Sequence, residues 1–506
     1  MDILSIRPTR KWVKALCIVW LLGLTSILWA QQQKPMNIIF ILTDDHRYDA
    51  MGFMNKIPGL QTPGMDRMAA EGAHLKNTFV STALCSPSRA SILTGQYPHT
   101  HTVVDNDAPL PKDLVFFPQY MQKNGYQTAF FGKWHMGNTD DQPQPGFDHW
   151  VSFQGQGVYY SPVLNINGKR VPQEGSYVTD LLTENAVDWL NNRNKNKPFL
   201  VYLSHKGVHA EFQPAKRHEG KYANLPIQTP PSMYLTATDS SKLYGTPTAP
   251  KTPVNYRDIP QWVRNQRFSW HGVDYMYHGA IPFDQFYYLY LETLQSVDES
   301  ILRLLTWVTQ NNLQNNTMVV YMSDNGFSFG EHGLIDKRHA YEESMRVPLL
   351  MWAPSMIKPK SVLEQVIMNV DIAPTFLEFA GVKKPTQMQG SSFAELLRGK
   401  TIPWRNKVFY EYYWESAFPQ TPTTFAIRSD RYKYIYYNGV WDTNELFDLQ
   451  NDPYEMNNLI RDTAYRQIGL QLKDELFQWL GQTGGLQIPL KRTINNRIDH
   501  KYRGSY

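Results

Sequence analysis

The chain has 506 residues, 42% hydrophobic and 19% charged, enough to bury a sizeable core in one large or two unequal domains. A net charge of +4 is too small for a nucleic-acid binder. The 30 tyrosines and 14 tryptophans suit carbohydrate contact, although large cores use them too. Arg7, Arg10, Lys11 and Lys14 precede an apolar run from Ala15 to Ala30, the layout of a signal peptide over residues 1–30. The run is shorter than a comfortable membrane span of about 20 residues. The expectation is an exported protein, in the periplasm, secreted or at the cell surface, with no stable membrane span after cleavage.

Asn37 to Leu42 is a continuous apolar run, the mark of a strand buried on both faces of a parallel sheet. It ends in Asp44-Asp45, two carboxylates placed where open α/β sheets bind ligands and where a hard cation finds oxygen donors. Pro63 to Gly72 reads as a helix, and Gly72 to Val80 leads back into the sheet. Then comes LCSPSRASILTG, residues Leu84 to Gly95, which holds the only cysteine outside the leader. Cys85 is either a small buried hydrophobe or a chemical group. Arg89 within one turn and a helix start at the cysteine make its setting electropositive.

Leu114 to Asn124 reads as a helix, and the strand after it runs out through Gly132 and Lys133 to His135. Val178 to Asn192 has helical spacing, and the core strand Pro198 to Leu203 empties into His205 and His209. Those two histidines lack a third zinc-type ligand nearby. Residues 212–283 are rich in Pro, Tyr, Thr and Trp with little periodicity, and read as an insertion that walls a pocket. Within it Trp270, His271 and Tyr275, with His205 outside it, are expected substrate contacts. Phe283 to Gln310 is a long amphipathic helix, with Leu291, Leu294, Val297, Ile301, Leu304 and Leu305 on one side.

Thr317 to Met322 is another core strand, and it delivers Asp324-Asn325. With Asp44 and Asp45 this makes an oxygen-rich set that favours Ca2+ or Mg2+ over zinc. Lys337 follows in a glycine-led segment. Beyond Pro403 the texture changes to alternating strands, Val408–Trp414, Thr424–Arg428 and Tyr432–Tyr437, with a helix over Thr463–Leu480. The expected architecture is an α/β domain over 31–400, with a large mostly parallel sheet flanked by helices, and a smaller C-terminal α+β subdomain over 401–506.

Cys85-x-Pro87-x-Arg89 followed by Leu93-Thr94-Gly95 resembles the signature of type I, formylglycine-dependent sulfatases, and Gly132-Lys133-x-His135 resembles their second signature. Residues 36–460 can be laid along the family, which has an alkaline-phosphatase-like fold; the chain is most similar to its bacterial polysaccharide-degrading members. Two positions depart: Phe131 is bulkier than usual, and the prolines around His209 are missing. The resemblance implies that a formylglycine-generating or maturase enzyme oxidises Cys85 to formylglycine, whose hydrate attacks sulfur. It implies one Ca2+ held by Asp44, Asp45, Asp324, Asn325 and the residue at 85. It also implies Lys133 and Lys337 on the sulfate, Arg89 holding the hydrate, His209 protonating the leaving oxygen and His135 deprotonating the second hydroxyl. The implied substrate is a sulfated polysaccharide or its oligosaccharides, algal (ulvan or carrageenan) or a host glycosaminoglycan. The rivals are a phosphatase, phosphodiesterase or phosphonate hydrolase of the same superfamily, and a non-catalytic sulfated-glycan binder whose Cys85 is never converted.

Overall fold

The apolar runs become the middle of a ten-stranded sheet in the computed structural model, which describes residues 35–137, 140–236, 258–269, 271–274, 281–439 and 442–489. Its strands are β1 (Asn37–Thr43), β2 (Ala73–Phe79), β3 (Gln127–Lys133), β4 (His149–Phe153), β5 (Val163–Ile166), β6 (Lys169–Pro172), β7 (Phe199–Ser204), β8 (Thr317–Ser323), β9 (Leu349–Trp352) and β10 (Ser361–Met368). The order across the sheet is β10-β2-β9-β8-β1-β7-β3-β4-β5-β6. The central run β8-β1-β7-β3-β4 is parallel, as is β10-β2. β9 lies antiparallel between β8 and β2, and the β5–β6 hairpin closes the far edge antiparallel.

Every residue of β1 is buried, because helices cover both faces and its alternate side chains enter two different cores. Ile38, Phe40 and Leu42 pack with α2 (Cys85–Thr94) and α5 (Ile372–Phe379). Ile39 and Ile41 pack with α1 (Pro63–Glu71), α3 (Val178–Asn192) and α4 (Phe283–Gln310). The six apolar positions expected along one side of α4 are all fully buried. At its middle, the Asp298 carboxylate accepts from the Gly64 and Met65 amides at 2.9 and 2.8 Å, satisfying orphan donors at the start of α1.

The C-terminal part is an antiparallel sheet of β11 (Val408–Tyr412), β12 (Thr424–Arg428), β13 (Tyr432–Tyr437) and β14 (Glu445–Asp448), in that order. One face carries Phe425, Ile427, Tyr434 and Leu446 against Leu472, Leu476 and Leu480 of α6 (Arg466–Thr483). The other sends Tyr410, Ala426, Ile435 and Phe447 into the core shared with β1 and α2. Buried ion pairs tie this sheet to the segment that follows β8: Lys433 meets Glu342 at 2.9 Å, and Arg428 meets the same carboxylate at 2.8 Å. That attachment fixes the loop bearing Lys337. The signal-peptide reading of residues 1–30, much of the expected insertion and the end of the chain lie outside the described residues.

Candidate active site

β8, β1, β7 and β3 are parallel neighbours, so their carboxyl ends share one edge of the sheet. Each strand hands over functional groups there. β1 gives Asp44 and Asp45, β8 gives Asp324 and Asn325, β7 gives Ser204 to His209, and β3 ends on Lys133 with His135 beyond. α2 begins at Cys85 against this edge and is buried along its whole length. Gly132 makes the close crossing of β3 with β7 possible: its φ is +108°, and a Cβ there would come within 1.9 Å of the Ser204 carbonyl oxygen.

The Cys85 sulfur lies 3.5 Å from Asp44 Oδ1 and 3.2 Å from Lys337 Nζ. Lys133 Nζ is paired with Asp44, and Lys337 Nζ with Asp45 at 2.5 Å. Arg89 spans the floor: Nε donates to Asp324 Oδ2 at 2.9 Å, and Nη1 to the Lys133 carbonyl at 2.8 Å and to Ser204 Oγ at 2.6 Å. The Asn325 amide donates to Asp45 Oδ1 at 2.6 Å. One oxygen each from Asp44, Asp45 and Asp324 fall within 4.8 Å of one another, and His209 forms a similar group with Asp44 and Cys85. His209 Nε2 is 3.9 Å from Asp45 Oδ2, and this side chain keeps 12% exposure while the carboxylates keep almost none.

Burial raises the carboxyl of Asp44, but Lys133, His209, Arg89 and Lys337 together hold it well below the usual carboxylate range. Asp45 is raised by burial, against Lys337 and with the repulsion of Asp44 and Asp324. Burial and Asp44 push the Cys85 thiol up to about 12, so unconverted it is a neutral thiol at pH 7. Burial with Lys133 and Arg89 lowers His135, and burial with Lys133 and Lys337 lowers His209, so both imidazoles rest neutral.

The donor set fits a hard dication. Asp45 Oδ2 and Asn325 Oδ1 are buried oxygens with no hydrogen-bond partner among the described residues, and both face groups already gathered around the carboxylate trio. An oxygen set of carboxylates and one amide suits Ca2+. An orphaned buried carboxylate oxygen is costly unless a cation meets it.

Cys85, Arg89, Lys133, Lys337, Asp44, Asp45, Asp324, Asn325 and His209 are therefore brought together, with His135 beside Lys133. His205 is not. It is fully buried on the opposite face, its Nε2 3.0 Å from Ser300 Oγ of α4, which corrects the expectation of a substrate contact. His271 is also buried, paired with Asp336 at 2.7 Å and packed on Phe418, so it braces the residue next to Lys337 instead of facing a ligand. Trp270 and Tyr275 lie outside the described residues. Two groups escaped the sequence reading. Gln156 accepts from Lys133 Nζ through Oε1 at 2.5 Å, and buried Lys206 donates to the Gln156 carbonyl at 3.2 Å. Both follow strand ends, which is the only signal that pointed toward them.

A mostly parallel sheet with acidic and cationic groups converging on a helix-terminal residue at its carboxyl edge defines a hydrolase of anionic esters with an alkaline-phosphatase-like fold. The chain belongs to the sulfatase family, which matches residues 36–382, and is a sulfuric ester hydrolase. Residues 330–482 match the C-terminal part of N-sulphoglucosamine sulphohydrolase. The chain is 36% identical over 494 residues to an N-acetylglucosamine-6-O-sulfatase of Bacteroides thetaiotaomicron, covering 90% of this chain and 87% of that one. It is 30% identical to human N-acetylglucosamine-6-sulfatase, covering 78% of this chain and 70% of the other. A solved structure in complex with its substrate D-glucosamine-2-N,6-O-disulfate superposes with a TM-score of 0.76 at 34% identity, covering 89% of this chain and 99% of that one.

Proposed function

We propose that the enzyme is exported and removes the 6-O-sulfate from glucosamine units of a sulfated glycosaminoglycan or its fragments. The observation that carries the sulfatase chemistry is the placement of Cys85 between Asp44 and Lys337, at 3.5 and 3.2 Å. The sugar preference is supported by the names of the relatives and the substrate of the similar structure. Formylglycine at position 85 would supply an oxygen nucleophile, and Ca2+ held by Asp44, Asp45, Asp324 and Asn325 would supply positive charge against the sulfate oxygens.

The chain's own residues do the rest. Lys133, paired with Asp44, and Lys337, paired with Asp45, hold the sulfate oxygens, charges already fixed in a water-poor cleft and needing little reorganisation. Arg89, bonded through Nε and Nη1 to Asp324, Ser204 and the Lys133 carbonyl, locks the start of α2 to the sheet. His209, the more exposed imidazole, protonates the leaving sugar oxygen. Burial and the Lys133 and Lys337 charges depress its proton affinity, and the anionic ester offsets the two lysines, so substrate binding raises it. His135, neutral and beside Lys133, takes the proton released when sulfate departs.

Sulfate release from 6-sulfated N-acetylglucosamine, glucosamine and N-acetylgalactosamine, with the protein made beside a formylglycine-generating enzyme, tests the proposal. Turnover of the glucosamine pair and its loss in Cys85→Ala are expected. Equal turnover of the galactosamine ester would overturn the sugar assignment, and sulfate release by Cys85→Ala the nucleophile.

A further inference from the structure

The turn between β4 and β5 is built as a strap over the active-site edge. It bonds to groups from two different strand ends. Gln156 Oε1 accepts from Lys133 Nζ at 2.5 Å, at the end of β3. The Gln156 carbonyl accepts from Lys206 Nζ at 3.2 Å, beyond the end of β7, and the same ammonium lies 4.7 Å from the centre of the Tyr159 ring. Tyr159 OH in turn donates to the His209 carbonyl at 2.7 Å.

Backbone geometry aims this strap. Gly155 and Gly157 flank Gln156 with φ of +53° and +64°, a left-handed conformation that other residues adopt at a cost. A Cβ on Gly157 would lie 2.4 Å from the Phe153 ring, so the turn closes tightly enough to exclude any side chain there. One polar side chain between two such glycines is directed at Lys133. The Gln156 amide can both accept and donate, and only its oxygen is engaged: Nε2 has no hydrogen-bond partner among the described residues, and the residue is half-buried. An amide whose oxygen is held by an ammonium presents its N–H donors to whatever anion that ammonium holds.

We propose that Gln156 is a substrate-binding residue that donates from Nε2 to an oxygen of the sulfate group while its Oε1 fixes Lys133. The inference rests on the sulfatase reading and adds to it a neutral donor on the β4–β5 side of the sulfate, opposite Lys337. A structural role alone would end at holding Lys133. Gln156→Glu separates the two roles, because it keeps an acceptor for Lys133 but removes the donor and adds a negative charge facing the anion.

The test compares wild type, Gln156→Ala and Gln156→Glu in two measurements: inhibition by inorganic sulfate, and calorimetric binding of inorganic sulfate to Ca2+-loaded protein whose Cys85 is unconverted. Losing one hydrogen bond to a charged group weakens binding by about 10- to 100-fold, so that loss is expected for Gln156→Ala, with a larger one for Gln156→Glu. Thermal midpoints within about 2 °C of wild type show that the fold is kept. Sulfate affinity near wild type in Gln156→Glu would overturn the proposal in favour of a purely positioning role. Unchanged inorganic sulfate binding with weakened sugar-sulfate turnover would overturn it in favour of a sugar contact. A wild-type enzyme that neither releases nor binds sulfate would sink the sulfatase reading itself, and this inference with it.

Discussion

Replacing Arg89 with methionine measures how far the active site holds the fold together. The guanidinium is 1% exposed and lies 2.7 Å from Asp324, with further bonds to Ser204 and to the Lys133 carbonyl. Methionine keeps much of the volume, so the loss is electrostatic: an Asp324 carboxylate left buried without its partner. Breaking a buried pair in this way costs about 3–5 kcal/mol. Unfolding entropy near 60 °C is roughly 2 cal/mol/K per residue, so a chain of this length carries about 1 kcal/mol/K and Tm should fall by about 4 °C. Differential scanning calorimetry in chelator is the assay, run as a cycle with Asp324→Asn and the double variant. If the ion pair is the cause, Asp324→Asn recovers about 2 kcal/mol in the Arg89→Met background. Additive losses, or an Arg89→Met midpoint within 1 °C of wild type, would refute the reasoning.

Ca2+ at 100 times its dissociation constant adds about 2.7 kcal/mol, so Tm should rise by about 3 °C on adding Ca2+, and Asp45→Ala should abolish the rise. An unaltered rise in that variant would remove Asp45 from the ligand set. Burial pushes Asp298 up to about 7 although two backbone amides oppose it. Its favourable protonation is complete below the ordinary value near 4 and lost as pH climbs through 7, so wild-type stability relative to Asp298→Asn should fall between pH 4 and pH 7. Parallel stability curves would show that the carboxyl is not shifted. Gly132→Ala places a methyl against the Ser204 carbonyl at a positive φ and should cost at least ~3 kcal/mol, read as lost soluble yield or a lower midpoint. A wild-type midpoint would show that β3 and β7 can separate.

The parallel centre of the sheet was legible because β1, β7 and β8 are covered on both faces and read as unbroken apolar runs. β9 and the β5–β6 hairpin were not, since each strand is four residues long and β6 is exposed throughout, leaving no periodicity to count. Most of the candidate site was legible because strand ends deliver it. His205 shows where that rule needs a second one. Val201 and Leu203 face the core that contains α4, and His205 continues the same alternation, so its side chain turns to Ser300 and away from the edge that Ser204 shares with Arg89. Counting the period past the end of β7 would have placed it. Gln156 offered only its place past the end of β4, because its aim at Lys133 depends on two glycine conformations and on pairing with residues from other strand ends.

The charged side chains of the cluster pair off, Asp44 with Lys133, Asp45 with Lys337 and Asp324 with Arg89. Groups so matched offer little net field to a passing anion, and their lone pairs are partly spent on each other. A divalent ion bound among them shifts the balance by two positive charges in a region almost closed to water, where an unscreened excess is expensive. An anionic ester relieves it. Cation and anion should therefore bind with strong positive coupling, and linkage makes that coupling reciprocal. Inorganic sulfate affinity measured by calorimetry should increase at least about 10-fold when Ca2+ is present, and Ca2+ affinity should increase by the same factor when sulfate is present. Sulfate binding that ignores Ca2+ would mean that Lys133 and Lys337 alone hold the anion, and that the carboxylate trio serves only to place them.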